Sequence, residues 1–250
     1  MQRPQAILFD VDGLLITTGG AGARSWRWAF EQLYGIPADI GEFSEGGMTD
    51  PVVGRLTFKG TIGREPSPAE LSAVMSSYLR RLPEEVKQSP GYRVLDGVNE
   101  LLPRLCNAGH LLGITTGAVE AAALIKLARA NLNRFFLFGG YGSDSADRGG
   151  LTRRAIERAG QILGYQVDPG RVLVLGDTPN DITAAHAAGA VGVGVASGKF
   201  GIDELRSAGA DYVLGSLLES LPGVEELPDE GGEIGGDGGE LNPPSREDRS

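Results

Sequence analysis

The chain has little of the chemistry that marks secreted or zinc-binding proteins. Its 250 residues include one cysteine, Cys106, and two histidines, His110 and His186. A single cysteine excludes an internal disulfide, and one thiol with two scattered imidazoles is a poor ligand set for zinc. We therefore expect a reduced, cytoplasmic compartment for this protein.

Long apolar runs are also missing. No run approaches the roughly 20 residues that a membrane-spanning helix needs, and the first apolar run already ends at Asp10. Because this run is too short and too acidic for a signal peptide, we expect neither a membrane span nor export. Hydrophobic residues make up 41% of the chain and charged residues 22%, which is typical of a globular protein with a self-supporting core.

Excess positive charge is the third absence. The chain has 23 Lys and Arg residues against 33 Asp and Glu residues, a net charge of -10, which argues against a nucleic-acid partner. Residues 223–250 carry nine of these acids and are rich in Gly and Pro. Such a segment cannot bury enough surface to offset the entropy of ordering, so we predict a disordered acidic tail. The functional alternative is an acidic interaction tail.

The rest of the chain alternates between strand and helix patterns. Short, continuous apolar runs predict strands covered on both faces at residues 6–9, 111–115, 135–138, 172–175 and 191–195. Amphipathic patterns predict helices at residues 94–108, 120–131, 151–163 and 181–188. This alternation indicates an α/β fold with a parallel sheet flanked by helices.

One stretch interrupts the alternation. From about residue 21 to residue 90 there are only helical patterns, such as residues 25–34 and 69–82. An insert placed directly after the first strand would cover the carboxyl end of the sheet, where open α/β sheets bind ligands. The predicted organisation is therefore a core domain of residues 1–20 and 90–222, a helical cap domain of residues 21–89, and the tail of residues 223–250.

Acidic residues follow two of the predicted strands. Asp10 and Asp12 come after the first, and Asp177 and Asp181 come after the run at residues 172–175. Asp12 followed by Gly13 also fits an ordinary turn, and Asp181 fits a capping box. Capping does not explain Asp177, because an unpaired acid at a strand end is costly to bury. Brought together at neighbouring strand ends, these carboxylates form an all-oxygen site suited to Mg²⁺.

A third junction carries hydroxyl groups and a glycine. Thr115, Thr116 and Gly117 lie between a predicted strand and a predicted helix. Hydroxyls and backbone N–H groups at such a junction can hold a phosphate, and a glycine lets the ligand approach closely. Helix capping by a threonine is the alternative interpretation.

Taken in order, these segments resemble the haloacid dehalogenase superfamily, in its phosphoglycolate-phosphatase-like branch. Residues 9–15 (Phe-Asp-Val-Asp-Gly-Leu-Leu) resemble its first motif, residues 114–117 its second, and residues 176–181 (Gly-Asp-Thr-Pro-Asn-Asp) its fourth. The resemblance extends from about Ala6 to Leu221 and implies a Rossmann-like core with an inserted helical cap. Residues 46–50 are similar to a cap loop that faces the active site in this branch.

The resemblance also implies roles for the residues. Asp10 would attack phosphorus and form an aspartyl-phosphate, and Asp12 would act as general acid and base. Mg²⁺ would be held by Asp10, the backbone carbonyl of Asp12 and Asp177, with Asp181 as a direct or indirect partner. Thr116 and the N–H of Gly117 would bind the phosphoryl oxygens. The implied partner is a small phosphorylated metabolite, and the sequence defines no oligomeric state.

The third motif departs from the family pattern. Relatives usually supply a lysine at the start of the helix before the fourth motif, whereas residues 143–151 contain none. Arg148 is the best substitute, because its permanent charge could pair with Asp10 and the phosphate. Its alternative is a surface arginine in a polar loop. Lys199 follows another predicted strand, and a solvated loop position is the interpretation we favour for it.

The leading hypothesis is a Mg²⁺-dependent phosphatase acting on a small phosphomonoester, with phosphoglycolate as the family-level default. A sugar phosphomutase of the same fold shares the carboxylates and differs in how the cap excludes water. A non-enzymatic binding protein on this scaffold is the third alternative, raised by the missing lysine. Retention of four mutually repelling acids near one cavity argues against the binding protein.

Overall fold

A computed structural model describes residues 2–43 and 47–224 of the chain. The predicted acidic tail therefore lies outside the described residues, except for Gly223 and Val224. The described residues form eight strands: β1 Ala6–Phe9, β2 Ile16–Thr18, β3 Tyr92–Val94, β4 Leu112–Thr116, β5 Phe138–Tyr141, β6 Val172–Gly176, β7 Val191–Val195 and β8 Tyr212–Leu214. They also form eight α-helices: α1 Ala21–Tyr34, α2 Asp50–Ile62, α3 Pro68–Gln88, α4 Val98–Asn107, α5 Glu120–Ala128, α6 Arg148–Leu163, α7 Pro179–Ala187 and α8 Ile202–Ser207.

Six of the strands form one parallel sheet in the order β5-β4-β1-β6-β7-β8. The central strand, β1, is inaccessible at Ile7, Leu8 and Phe9, because helices cover both faces of the sheet. The chain runs from β1 outward through β4 to β5 and then returns to β6 on the other side of β1. This reversal opens a crevice at the carboxyl ends of β1, β4 and β6. The predicted parallel α/β class is confirmed.

Several predicted boundaries differ from the structure. The strand predicted at residues 135–138 is wrong: Asn133–Phe135 form a 3₁₀ turn, Leu137 is 71% exposed, and β5 begins only at Phe138. The apolar run at residues 135–138 lies mostly before β5, and two adjacent glycines follow it within the strand. Strand β8, at the edge of the sheet, was also missed, because its first residue, Tyr212, is exposed.

Helix boundaries shifted for local reasons. Helix α4 begins at Val98 rather than at residue 94, because Tyr92–Val94 pair with β2 and Gly97 adopts a φ of +84°. Helix α6 begins at Arg148, three residues before its predicted start, where the Asp147 side chain accepts a hydrogen bond from the Gly150 N–H at 2.7 Å. This earlier start brings Arg148 into the first turn of the helix.

Helices α1, α2 and α3 occupy the segment predicted as a helical insert. Helix α3 opens with a capping box between Ser67 and Glu70. Helices α1 and α3 pack together, with the rings of Trp26 and Tyr78 stacked at a centroid distance of 4.4 Å. No helix within residues 2–43 and 47–224 combines the length and the apolar character needed to cross a membrane.

The chain enters and leaves this helical segment at one place. Strands β2 and β3 flank it in the sequence and pair antiparallel, with Thr17 opposite Arg93. The Ser89 hydroxyl donates a hydrogen bond to the Thr18 carbonyl at 2.7 Å and so closes the base of the segment. The helices therefore sit on a two-stranded ribbon beside the carboxyl edge of the main sheet.

Candidate active site

The carboxyl edge of the main sheet gathers side chains from three adjacent strands. Asp10 follows β1, Thr116 ends β4, and Asp177 follows β6. Because β1 lies between β4 and β6, Asp10 stands at the centre of this row. A cavity of about 680 Å³ opens there, and Gly117 and Arg148 also line it. The structure thus brings the residues singled out at three separate sequence motifs to one place.

Three aspartates form a buried group. One oxygen each of Asp10, Asp177 and Asp181 lies within 4.8 Å of the others. Burial, reinforced by the Asp181 carboxylate, raises the pKa of Asp10 well above its ordinary range and raises that of Asp177 to about 7. Clustered carboxylates of this kind require a compensating positive charge.

Two oxygens of this group accept no hydrogen bond within the described part of the chain. Oδ1 of Asp10 and Oδ1 of Asp177 are buried and accept no hydrogen bond from any described residue. A buried acceptor without a donor is costly, so such atoms point to a ligand that the protein itself does not supply. Gly198 packs so closely on Asp177 that a Cβ there would overlap Oδ2 of this carboxylate. The donor set, made only of carboxylate oxygens, fits a hard divalent cation such as Mg²⁺.

Asp181 is already engaged. Its Oδ2 accepts hydrogen bonds from the Thr178 N–H at 3.0 Å and from the Thr178 hydroxyl at 2.7 Å, which completes the capping box of helix α7. Its Oδ1 accepts a hydrogen bond from Arg148. The capping role and a role in the site are therefore combined in one side chain.

Arg148 is a buried member of the group. One of its terminal nitrogens lies 3.6 Å from Oδ1 of Asp10, and its side chain is only 11% exposed. Another donates a hydrogen bond to the Gly47 carbonyl at 3.0 Å. The alternative interpretation of Arg148 as a surface arginine is therefore wrong, because the early start of helix α6 turns this side chain inward.

Asp12 lies apart from the three-aspartate group. Its Oδ2 accepts a hydrogen bond from Nζ of Lys126 at 2.6 Å. The Lys126 side chain is 8% exposed, whereas that of Asp12 is 43% exposed. Burial lowers the pKa of Lys126, but the neighbouring Asp12, Tyr78 and Asp50 raise it further than burial lowers it, so this side chain is an ammonium ion.

Sequence reasoning missed Lys126, although a signal was present. Helix α5 presents Ala122, Ala123 and Leu127 to the interior, and Lys126 shares this buried face. A lysine on the apolar face of a short helix needs an acidic partner. The sequence alone did not identify that partner, because Asp12 lies more than one hundred residues earlier.

A loop at the start of helix α2 closes one side of the cavity. The Asp50 N–H donates to the Gly117 carbonyl at 2.8 Å, and Oδ2 of Asp50 accepts from the Val119 N–H at 2.9 Å. A Cβ on Gly117 would overlap the Met48 carbonyl, so only glycine permits this approach. Of the loop at residues 46–50, Gly46 lies outside the described residues, Gly47 lies against the fourth motif, and Met48 to Asp50 lie against the second motif.

Lys199 stands at the mouth of the cavity beside Phe200. Its side chain is exposed, in keeping with the predicted loop position. The ammonium lies 5.9 Å from the centre of the Phe200 ring.

Comparison with known proteins identifies similar chains. The family model described as haloacid dehalogenase-like hydrolase matches residues 4–189. A phosphoglycolate phosphatase of Caulobacter vibrioides is 29% identical over 217 residues, covering 85% of this chain and 87% of the relative. A phosphoglycolate phosphatase of Neisseria meningitidis is 27% identical over 226 residues, covering 88% of this chain and 93% of the relative.

Solved structures show the same fold. The crystal structure of CbbY from Rhodobacter sphaeroides in complex with phosphate matches with a TM-score of 0.65 and 21% sequence identity, covering 86% of this chain and 96% of that one. A hydrolase from Pseudomonas syringae matches with a TM-score of 0.64 and 23% identity, covering 85% of this chain and 94% of that one. At these identities, the similarity concerns the fold.

Proposed function

Starting from the fact that this chain belongs to the haloacid dehalogenase-like hydrolases and is a phosphatase, we propose that it hydrolyses a small phosphomonoester with Mg²⁺ as its cofactor. The observation that carries this proposal is the pair of buried oxygens, Oδ1 of Asp10 and Oδ1 of Asp177, that accept no hydrogen bond from a described residue. They lie in the cavity that Thr116 and Gly117 also line. A divalent cation would supply the positive charge that these two oxygens call for.

The metal would be held by the Asp10 and Asp177 carboxylates and by the backbone carbonyl of Asp12. Asp181 would be a direct or indirect partner of the metal, and both of its oxygens also accept hydrogen bonds, from Thr178 and Arg148. When bound, Mg²⁺ offsets the charge of the carboxylates and of the phosphoryl oxygens, which otherwise repel one another.

Asp10 is the proposed nucleophile. Its carboxylate oxygen forms a bond to phosphorus while the bond from phosphorus to the leaving oxygen breaks, which gives an aspartyl-phosphate. Arg148, which lies 3.6 Å from Asp10, supplies positive charge beside the transferred group. Thr116 and the N–H of Gly117 would hold the phosphoryl oxygens during transfer.

Asp12 is the proposed general acid and base. Its carboxyl proton passes to the leaving oxygen as the ester bond breaks. In the second step, the Asp12 carboxylate takes a proton from water as this water attacks phosphorus and releases Asp10. The position of Asp12, half-exposed at the cavity wall and outside the three-aspartate group, suits a residue that must exchange protons with both substrate and water.

The proposed substrate class follows from the size of the cavity. The cavity, which the proposed catalytic groups line, has a volume of about 680 Å³, and a small metabolite fits within it. Two similar proteins are named phosphoglycolate phosphatases, so phosphoglycolate is the first compound to test. A cytoplasmic location agrees with such a metabolite and stays a prediction.

The test is phosphate release from a panel of small phosphomonoesters, phosphoglycolate and hexose phosphates included, in Mg²⁺ and in chelator. We expect metal-dependent release by the wild type and none by Asp10→Asn, with circular dichroism showing that the variant folds. Conversion of one sugar phosphate isomer into another without net release would identify a phosphomutase instead. Absence of any turnover by folded wild type across the panel would overturn the proposal and favour a binding protein.

A further inference from the structure

We propose, on the premise of the phosphatase chemistry above, that Lys126 is a positioning residue for Asp12. Its ammonium holds one oxygen of the Asp12 carboxylate, so that the other oxygen faces the leaving group of the substrate. Three features of the structure support this role: the geometry of the ion pair between Lys126 and Asp12, the anchoring of Lys126, and the separation of the Asp12 side chain from the carboxylates that would bind metal.

The pair is asymmetric. Nζ of Lys126 lies 2.6 Å from Oδ2 of Asp12, and the lysine side chain is 8% exposed while the aspartate side chain is 43% exposed. Two carboxylates lie near Lys126, the buried Asp50 and the half-exposed Asp12, and the ammonium forms its ion pair with Asp12. The buried ammonium thus extends to the cavity wall, where it restrains a group that is otherwise in contact with solvent.

Lys126 is itself held in place. Its helix, α5, buries Ala122 and Leu127 on the same face, and the Tyr92 hydroxyl donates a hydrogen bond to the Lys126 carbonyl at 2.9 Å. A side chain anchored in this way has few accessible rotamers, so its ammonium is a fixed point. Lys126 engages Oδ2 of Asp12, so Oδ1 is the oxygen that we assign to the transferred proton.

The two buried cations of the cavity have separate partners. Arg148 contacts Asp10 and Asp181, whereas Lys126 contacts Asp12. A carboxylate free to rotate at this edge of the sheet would be drawn toward a cation held by Asp10 and Asp177. Because Lys126 binds Oδ2 of Asp12, it opposes this attraction and restrains the proton-transfer group.

The reaction step that depends on this arrangement is departure of the leaving group. The proton on Oδ1 of Asp12 moves to the ester oxygen as the bond from this oxygen to phosphorus breaks and the bond from Asp10 to phosphorus forms. An alkoxide leaving group needs that proton, whereas 4-nitrophenolate is stable as an anion and does not. The importance of Lys126 is therefore expected to depend on the leaving group.

The experiment measures the first turnover of Lys126→Met by rapid quench, as release of the alcohol or phenol, with phosphoglycolate and with 4-nitrophenyl phosphate. We expect a loss of about 10- to 100-fold for the alkyl ester and of less than about threefold for the nitrophenyl ester. In an Asp12→Asn background, Lys126→Met should cause no further loss, because the group that it positions is already gone. Arg158→Met is the control, since it removes another ion pair, the partly exposed one with Asp144, away from the cavity.

If Lys126→Met does not fold, the same first-turnover measurement is made with Lys126→Arg. It keeps the charge, but its planar fork places the carboxylate differently, so a smaller loss with the same leaving-group dependence is expected. Equal losses for both esters, or a raised KM at an unchanged first-turnover rate, would overturn the inference while the phosphatase proposal stands. No release by wild type with either ester, in Mg²⁺, would overturn both.

Discussion

Arg148 at the start of helix α6 donates a hydrogen bond to Asp181 in the first turn of helix α7. It also donates to the Gly47 carbonyl at 3.0 Å, on the loop that precedes helix α2. One guanidinium thus connects the fourth motif, the proposed nucleophile Asp10 and the loop that closes the cavity. A single ammonium has a different geometry, because it lacks the fork that serves two partners at fixed angles.

We expect Arg148→Met to reduce kcat with a good substrate by about 100-fold or more, since it removes the positive charge beside the transferred group. Arg148→Lys should recover part of this activity, because a lysine in the first turn of α6 restores the charge without the contact to Gly47. Steady-state kinetics at saturating Mg²⁺ measure both effects. Arg153→Met is the matched control on the same helix, where its pair with Asp147 is half-exposed. Unchanged activity of Arg148→Met would contradict the role.

Gly117→Ala tests the contact between the proposed phosphate-binding junction and the closing loop. The added methyl group would overlap the Met48 carbonyl and would push the loop away, which breaks the bond from the Asp50 N–H to Gly117. We expect a raised KM and a loss of about tenfold or more in kcat/KM. Gly22→Ala in helix α1 is the control: nothing lies within 4 Å of its new Cβ, and it should stabilise the protein by about 0.5–1 kcal/mol. Equal kinetics for the two variants would contradict the close approach.

The metal-free protein should lose stability as pH rises from about 4 to about 7. The folded pKa of Asp177, about 7, is raised from an ordinary value of 3.8, so the folded state binds more protons than the unfolded state in this window. The free energy of unfolding then falls with pH by on the order of 1 kcal/mol per unit. Urea titrations in chelator at pH 5.5 and 7.5 measure the effect. In Asp177→Asn the dependence should flatten, and a slope as steep as that of the wild type would contradict the assignment.

Mg²⁺ should stabilise the folded protein at pH 7.5. A cation bound only to the folded state raises the free energy of unfolding by about 2.7 kcal/mol at one hundred times its Kd. A thermal melt with increasing Mg²⁺ should therefore show a rising Tm for the wild type and little change for Asp177→Asn. Asp144→Asn, in a pair with Arg158 away from the cavity, should respond as the wild type does. An equal rise in all three proteins would indicate nonspecific binding.

Continuous apolar strands made the core of the fold predictable. The run at residues 191–195 was predicted with the bounds that the structure gives, and the runs ending near Asp10 and Asp177 were also recognised, because both faces of these strands are buried. Strand β5 was misplaced because the apolar run at residues 135–138 lies mostly before it, and β2 and β3 were missed because three residues are too few to show alternation. Pairing across the helical insert alone defines these two short strands.

The candidate site was predictable where its residues follow strands. The carboxyl ends of adjacent parallel strands meet, so Asp10, Thr116 and Asp177 were expected to converge, and the structure places them in one cavity. Arg148 was singled out because this sequence has no lysine where the family usually has one. The direction of the Arg148 side chain could not be deduced from the sequence. The contact between Lys126 and Asp12 depends on packing between helix α5 and the turn after β1. Contacts between such distant segments leave no local signal in a single sequence.

The ribbon of β2 and β3 connects the helical segment to the main sheet at one place in the chain. All six strands of the main sheet come from residues before β2 or after β3, and the three helices between these strands begin and end at neighbouring points. The strand order of the main sheet therefore involves no residue of those helices, although Trp26 and Phe58 share one apolar core with Phe9. In evolution or in protein engineering, a segment that replaces residues 21–88 must therefore keep an apolar face toward the sheet as well as the contact of its loop with Arg148.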